Sequence, residues 1–154
     1  MRIKENYLFS LCIAFLSIIS DQFSKFLISK NIDLLPLYDP LFRGLNIVYV
    51  ENKGVSFGML SEYNIPFYLG ILSILISCYI IFLIIKSERK FEICGLSLIL
   101  GGALGNGIDR LVKGYVIDFI DIYFRRAHWP AFNIADSCIT VGAILFFYSA
   151  FKNK

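Results

Sequence analysis

Histidine is nearly absent from this chain: among 154 residues only His128 is one. Multi-histidine metal sites and the HExxH pattern are therefore excluded, and no metal or other cofactor is expected. A serine–histidine–aspartate triad would have to use His128. That residue sits in Arg125-Arg126-Ala127-His128-Trp129-Pro130, which reads as a wet interfacial loop. The base of a nucleophile needs a held geometry that such a loop does not offer. Cysteine is also sparse, and Cys12, Cys78, Cys94 and Cys138 show no CxxC spacing. Each lies in or beside an apolar stretch and reads as a small core or lipid-facing residue, not as part of a disulfide framework or zinc site. Charge is scarce at 18% of the chain, against about 25% in a soluble domain. The net charge of +3 is small and no basic run is long, which argues against nucleic acid as a partner.

What the chain has instead is apolar residues, 57% of the total, with a mean hydropathy of +0.68. This composition excludes a disordered protein, a solenoid array and an ordinary cytosolic enzyme. The length predicts one domain over residues 1–154. A membrane-spanning helix needs about 20 mostly apolar residues. Four such stretches can be drawn, over about 7–28, 65–85, 93–108 and 132–151. The first contains Asp21, Gln22 and Lys25, the third is glycine-rich and is followed by Asp109-Arg110, and the fourth holds Asp136 near its start. The residues before position 21 end in Ile18-Ile19-Ser20, a poor cleavage site for a signal peptide, so the first stretch is read as a permanent helix.

Four spans place both termini on one side. Basic residues occur on both sides, so the total count does not decide orientation. The short segment 86–92 carries Lys86, Arg89 and Lys90, and that density places the termini in the cytoplasm. The opposite side receives residues 29–64 and 109–131. Within the former, Leu45-Asn46-Ile47-Val48-Tyr49-Val50 is β-branched and aromatic, bounded by Gly44 and by Asn52-Lys53-Gly54. It predicts a small extramembrane β platform. Pro36 and Pro40 predict extended or turned chain between them, and Tyr38, Phe42, Tyr49, Phe57 and Tyr63 suit a membrane interface. The fold class is thus an all-α membrane protein of four spanning helices, with a β platform and a surface loop or helix on the outer side.

Charges within a span are costly, roughly 2.5–3.5 kcal/mol each at the bilayer centre, and so face the bundle interior and find partners. Asp21 and Lys25 are spaced i, i+4 and can pair, either snorkelling outward or bracing a site. Asp136 follows Asn133 by three residues, the spacing of a helix cap and its first-turn acid. In Gly114-Tyr115-Val116-Ile117-Asp118-Phe119-Ile120-Asp121 two acids have apolar neighbours. Burial of this kind raises a carboxyl pKa, and two carboxyls brought together share one proton. Such a pair can activate water on one side and protonate a carbonyl on the other, with no metal and no histidine. The residues alone leave Asp118 and Asp121 as alternative partners of Asp136. The glycines of 101–107 read as close helix packing, since no phosphate-loop lysine follows.

Five elements in order resemble the lipoprotein signal peptidases, the type II signal peptidases of bacteria. They are Asp21 with Lys25; Asn52, Gly54 and Phe57; Gly101, Gly102, Gly105, Asn106, Asp109 and Arg110; Val116, Asp118 and Phe119; and Phe132, Asn133, Ala135 and Asp136. The resemblance implies an aspartic endopeptidase of the bacterial inner membrane. It removes the signal peptide from diacylglyceryl-modified prolipoproteins, cutting just before the lipidated cysteine, near the outer face. It implies Asp118 and Asp136 as the catalytic pair, with Asp121 outside it. Asp21, Lys25, Asn52, Gly54, Asn106, Arg110 and Asn133 then hold substrate or brace the site. Arg110 has Asp109 or a lipid phosphate as alternative partners. The resemblance also implies membrane lipids and globomycin-type inhibitors as ligands, and the chain is expected to act as a monomer. Gly107 stands where the family has a bulky apolar residue, and is expected to loosen the end of the third helix.

Two readings of another kind compete. A transporter or proton-relay subunit would spread its acids along a pathway, whereas these cluster at one end of the helices. A non-catalytic scaffold would have no use for Asp136. A presenilin-like protease would need G-x-G-D, which Gly105-Asn106-Gly107-Ile108-Asp109 misses by one residue.

Overall fold

The computed structural model describes residues 2–35, 43–54 and 65–152. Phe57, Pro36, Pro40, Tyr38, Phe42 and Tyr63 lie outside the described residues. Four helices dominate: α1 (Arg2–Lys30), α2 (Pro66–Lys86), α3 (Lys90–Val112) and α4 (Ile134–Lys152). Each is long and apolar enough to cross a membrane. Pro66 opens α2 at a position where its missing N–H would have no helical partner anyway. Phe15, Leu16 and Phe23 of α1 and Tyr68, Leu75 and Tyr79 of α2 are exposed, the outward-facing apolar surface that hydrocarbon requires.

The centre of the bundle is α3, on which α1, α2 and α4 all pack. Its small residues permit this. A Cβ at Gly95 would stand 2.6 Å from the carbonyl oxygen of Gly142 in α4, and one at Gly102 would collide with that of Ala135. The backbones approach as closely as small-residue membrane interfaces allow. The buried apolar core joins Ala14 of α1, Ile80 and Ile84 of α2, and Ile93, Leu96 and Leu100 of α3. Cys12 and Cys78 are exposed, Cys94 and Cys138 half-buried, and all four are unbridged.

Two expectations about α3 are corrected. The helix does not end at 108 but runs to Val112, taking Asp109 and Arg110 into its last turn. Gly107 does not loosen it: the residue is buried in regular helix, and a Cβ there would sit 3.0 Å from that of Ser73 in α2. Helix–helix contact, not terminal fraying, explains the glycine.

At one end of the bundle lies a three-stranded antiparallel sheet in the order β1 (Leu45–Asn52), β2 (Val116–Phe124), β3 (Ala127–His128). The expected β platform exists, and β1 continues two residues past Val50. The sequence signals no strand in segment 109–131, yet β2 and β3 come from it. A register shift between Ile47 and Val50 lets β1 follow β2. Phe132 bridges to Ile120, and its carbonyl accepts from the N–H groups of Phe119 and Ile120. That bridge clamps β2 to the first turn of α4.

Candidate active site

Asn133 stands just before α4, and its side-chain oxygen accepts the N–H of Asp136 at 2.9 Å, while the Asp136 carboxylate accepts the N–H of Asn133 at 3.2 Å. This reciprocal cap leaves the Asn133 amide nitrogen free to donate elsewhere. It donates to Asp118 at 2.6 Å. One asparagine therefore joins both aspartates.

Two further asparagines work the same way. The Asn52 oxygen accepts the N–H of Gly54 at 3.0 Å, which turns its amide nitrogen toward the second oxygen of Asp118 at 2.9 Å. The Asn106 oxygen accepts from Lys25 at 2.9 Å, which turns its amide nitrogen toward Asp136 at 2.8 Å. Each amide has its acceptor end occupied, so each presents a donor to a carboxyl group. Both aspartates, with Asn52, Asn106 and Arg110, line one cavity of about 470 Å³. Among the described residues neither aspartate has a cation within ion-pair distance. Burial pushes the Asp118 carboxyl up to about 6, the Asn52 amide pulls it down, and the charge of Asp136 raises it again.

Beneath the cavity lies a second cluster. Lys25 and Asp21 do pair, at 2.7 Å, but the expectation that they could snorkel outward is corrected: both side chains are fully buried. A third member, Asp109, stands 2.7 Å from the same ammonium. Lys25 thus donates hydrogen bonds to Asp21 and Asn106 and is ion-paired with Asp109. Asp109 also pairs with Lys113, and the Gln22 amide donates to Asp21, Asp109 and the carbonyl of Gly105. Asp21 reaches across to α4, accepting the N–H of Ala135 at 2.9 Å. The sequence points to Asp21 and Lys25 but assigns no role to Asp109 or Gln22. Asp109 stands in one of the five motifs of the sequence, and its i, i+4 spacing with Lys113 is a second readable signal.

Arg110 does not pair with Asp109. Its guanidinium donates to the carbonyl of Gly54 at 3.0 Å, tying α3 to the end of β1. Asp121 is on the opposite face of β2 from Asp118, where it accepts from Asn46 at 2.9 Å and contacts His128 at 3.0 Å. Residues three apart on a strand point to opposite faces. Of the two alternatives, only Asp118 shares the cavity with Asp136. His128 is not on a bare loop. It belongs to β3 and stacks on Tyr123.

What the arrangement can do chemically follows from its parts. Two carboxyl groups line one cavity with donors on each, which suits water activation and carbonyl polarisation in one step. Among the described residues no cluster of histidine, cysteine and acids could hold a metal ion.

Comparison with known proteins gives a consistent picture. A family profile described as Signal peptidase (SPase) II matches residues 13–152. A lipoprotein signal peptidase of Thermodesulfovibrio yellowstonii is 42% identical over 144 residues, covering 90% of this chain and 91% of that protein. One from Geobacter metallireducens is 38% identical over 148 residues, covering 92% and 90%. A solved structure described as a bacterial membrane enzyme, obtained by the in meso method, superposes with a TM-score of 0.81 at 34% identity, covering 94% of this chain and 88% of that one.

Proposed function

The chain belongs to the signal peptidase II family, and from that premise we propose that Asp118 and Asp136 form the catalytic pair of an aspartic endopeptidase. As a member it is a multi-pass membrane protease that removes signal peptides from lipoproteins. The finer reading is that it acts on prolipoproteins whose cysteine already carries diacylglycerol, and cuts just before that cysteine. The observation that carries it is the shared cavity, in which asparagine amides hold both carboxyls and, among the described residues, no cation pairs with either.

In the proposed step the pair holds one proton between them. The ionised member takes a proton from water as its oxygen attacks the scissile carbonyl carbon. The protonated member gives its proton to the carbonyl oxygen. Collapse of the resulting diol breaks the C–N bond, and a proton returns to the departing amine of the lipidated cysteine. The two groups titrate as a unit, so neither role belongs to one residue at rest. Asn52, Asn106 and Asn133 orient the carboxyls, and Arg110 with Gly54 closes the wall toward β1. Asp21 and Lys25 brace the floor.

In this reading the enzyme sits in the bacterial inner membrane with both termini cytoplasmic and the sheet toward the outer face. Globomycin-type cyclic peptides compete for the cavity, and one copy of the chain suffices for activity.

The test is mass spectrometry of products from a purified prolipoprotein, with and without its diacylglyceryl group. The expected result is cleavage of the modified form alone, with the lipidated cysteine as the new N-terminus. Equal cleavage of the unmodified form, or a cut elsewhere, would refute the substrate assignment.

A further inference from the structure

The outer end of the hairpin formed by β2 and β3 lies beyond Asp118, and the proposed catalytic step uses none of its residues. We propose that its tip, residues 124–126 together with Trp129, docks on anionic phospholipid headgroups of the membrane that the four helices cross.

The tip lies close to the membrane surface. Ile120 bridges to Phe132, two residues before α4 begins, so the middle of β2 is held at the level where a spanning helix enters. The tip is only four residues farther along β2, which limits its distance from that level to roughly 13–14 Å.

Phe124 is 76% exposed and Trp129 60%, and Ile122 beside them is also exposed. Strand alternation places Ile122 and Phe124 on one face, and Asp121 and Tyr123, which contact His128, on the other. The ribbon is thus apolar on one face and polar on its back, the arrangement of an element lying in an interface. Aromatic side chains concentrate at that depth of a bilayer.

The turn is Arg125-Arg126, both exposed, and the ion pairs among the described residues use Lys25, Lys113 and His128 instead. Arg125 adopts φ +57°, in the left-handed region where a two-residue hairpin ordinarily takes glycine or asparagine. An arginine kept in that conformation presents its guanidinium next to Phe124, 5.5 Å from the ring centre. A guanidinium beside an exposed aromatic ring matches a phosphate above an acyl chain. The diacylglyceryl group of the proposed substrate carries no phosphate, so the two arginines fit the surrounding lipid and not that group.

Trp129 is the sole tryptophan of the chain, so the fluorescence comes from one known position, at the base of the tip. The protein is reconstituted in nanodiscs of phosphatidylcholine, or of phosphatidylcholine mixed with phosphatidylglycerol, and quenched with acrylamide. Wild type is expected to be quenched about twofold less in the anionic discs, with blue-shifted emission, as the ring seats deeper. The double variant R125Q/R126Q loses this lipid dependence, and R125K/R126K retains most of it. Equal quenching of wild type in both lipids overturns the proposal. So does a lipid dependence that survives undiminished in R125Q/R126Q, which would place the effect in the cavity that Trp129 also lines. Neither outcome depends on catalysis.

Discussion

Asp21 and Asp109 face a lysine, whereas Asp118 and Asp136 face asparagines. All four belong to one connected network, since Asn106 bonds both Lys25 and Asp136. In the lower cluster every charge has its opposite at 2.7–2.9 Å, and Asp21, Lys25 and Asp109 are closed to solvent. In the upper one neutral donors hold the carboxyls, and the cavity opens beside them. A carboxylate paired with a buried ammonium is held as the anion and is a poor base. A carboxyl held only by amides keeps its proton exchangeable at the cost of being poorly compensated. Bracing and reactivity are thus assigned by the partner, not by burial.

Four changes would break or sharpen this contrast. The largest effect is expected from Lys25→Met, which strands Asp21 and Asp109 without their common cation. Breaking a buried pair from one side costs about 3–5 kcal/mol, readable as thermal unfolding in detergent. A loss under about 1 kcal/mol, the scale of a surface pair, would mean the lower cluster is not held by charge.

Next comes the pH dependence of the upper pair. The Asp118 carboxyl lies above its ordinary 3.8, at about 6. The native fold then keeps a proton that the unfolded chain releases. Stability falls as pH rises from about 4 to 6, by up to about 3 kcal/mol, and is flat above that window. Asp118→Asn reduces this slope. Its amide must turn one N–H group toward a donor of Asn52 or Asn133, so the slope and not the absolute stability is the quantity to compare. An unchanged slope would show that Asp118 does not titrate there. The cleavage rate should likewise inflect near pH 6, falling on either side of the range in which the pair holds one proton.

A smaller effect is expected at the junction of the two clusters. Gly102→Ala puts a methyl group against the carbonyl of Ala135, next to Asp136. Overpacking of this kind costs about 1–3 kcal/mol and displaces the first turn of α4, so cleavage should fall with stability. Gly114→Ala makes a fitting control. Its φ of +78° is unfavourable for alanine but the space around it is open, so cleavage should survive a modest loss of stability. Smallest of all is Asp121→Asn. Asp121 pairs with a half-exposed His128 outside the cavity, so the change should cost less than about 1 kcal/mol and spare cleavage.

Much of this contrast is legible in the amino-acid sequence. The spans are legible because hydrocarbon imposes a length, and the Asn133–Asp136 cap because its three-residue spacing is local. The Leu45–Val50 stretch is legible through its β-branched residues. β2 is not, because its first half is buried on both faces, which erases the alternation that marks a half-buried strand. Without that strand, Asp118 and Asp121 cannot be told apart from the residues themselves. With it, their separation of three places them on opposite faces at once. The pairing of Asp109 with Lys25 is not legible because the two belong to different helices, and it depends on the packing of α1 against α3.

The most direct test of the central claim compares Asp118→Asn, Asp136→Asn and Asp121→Asn for cleavage of a diacylglyceryl-modified prolipoprotein, each variant first shown to fold and insert as wild type does. Either of the first two is expected to abolish cleavage, and the third to retain it. Full cleavage by Asp118→Asn or Asp136→Asn would contradict that expectation, and loss by Asp121→Asn alone would move the chemistry to the other face of β2.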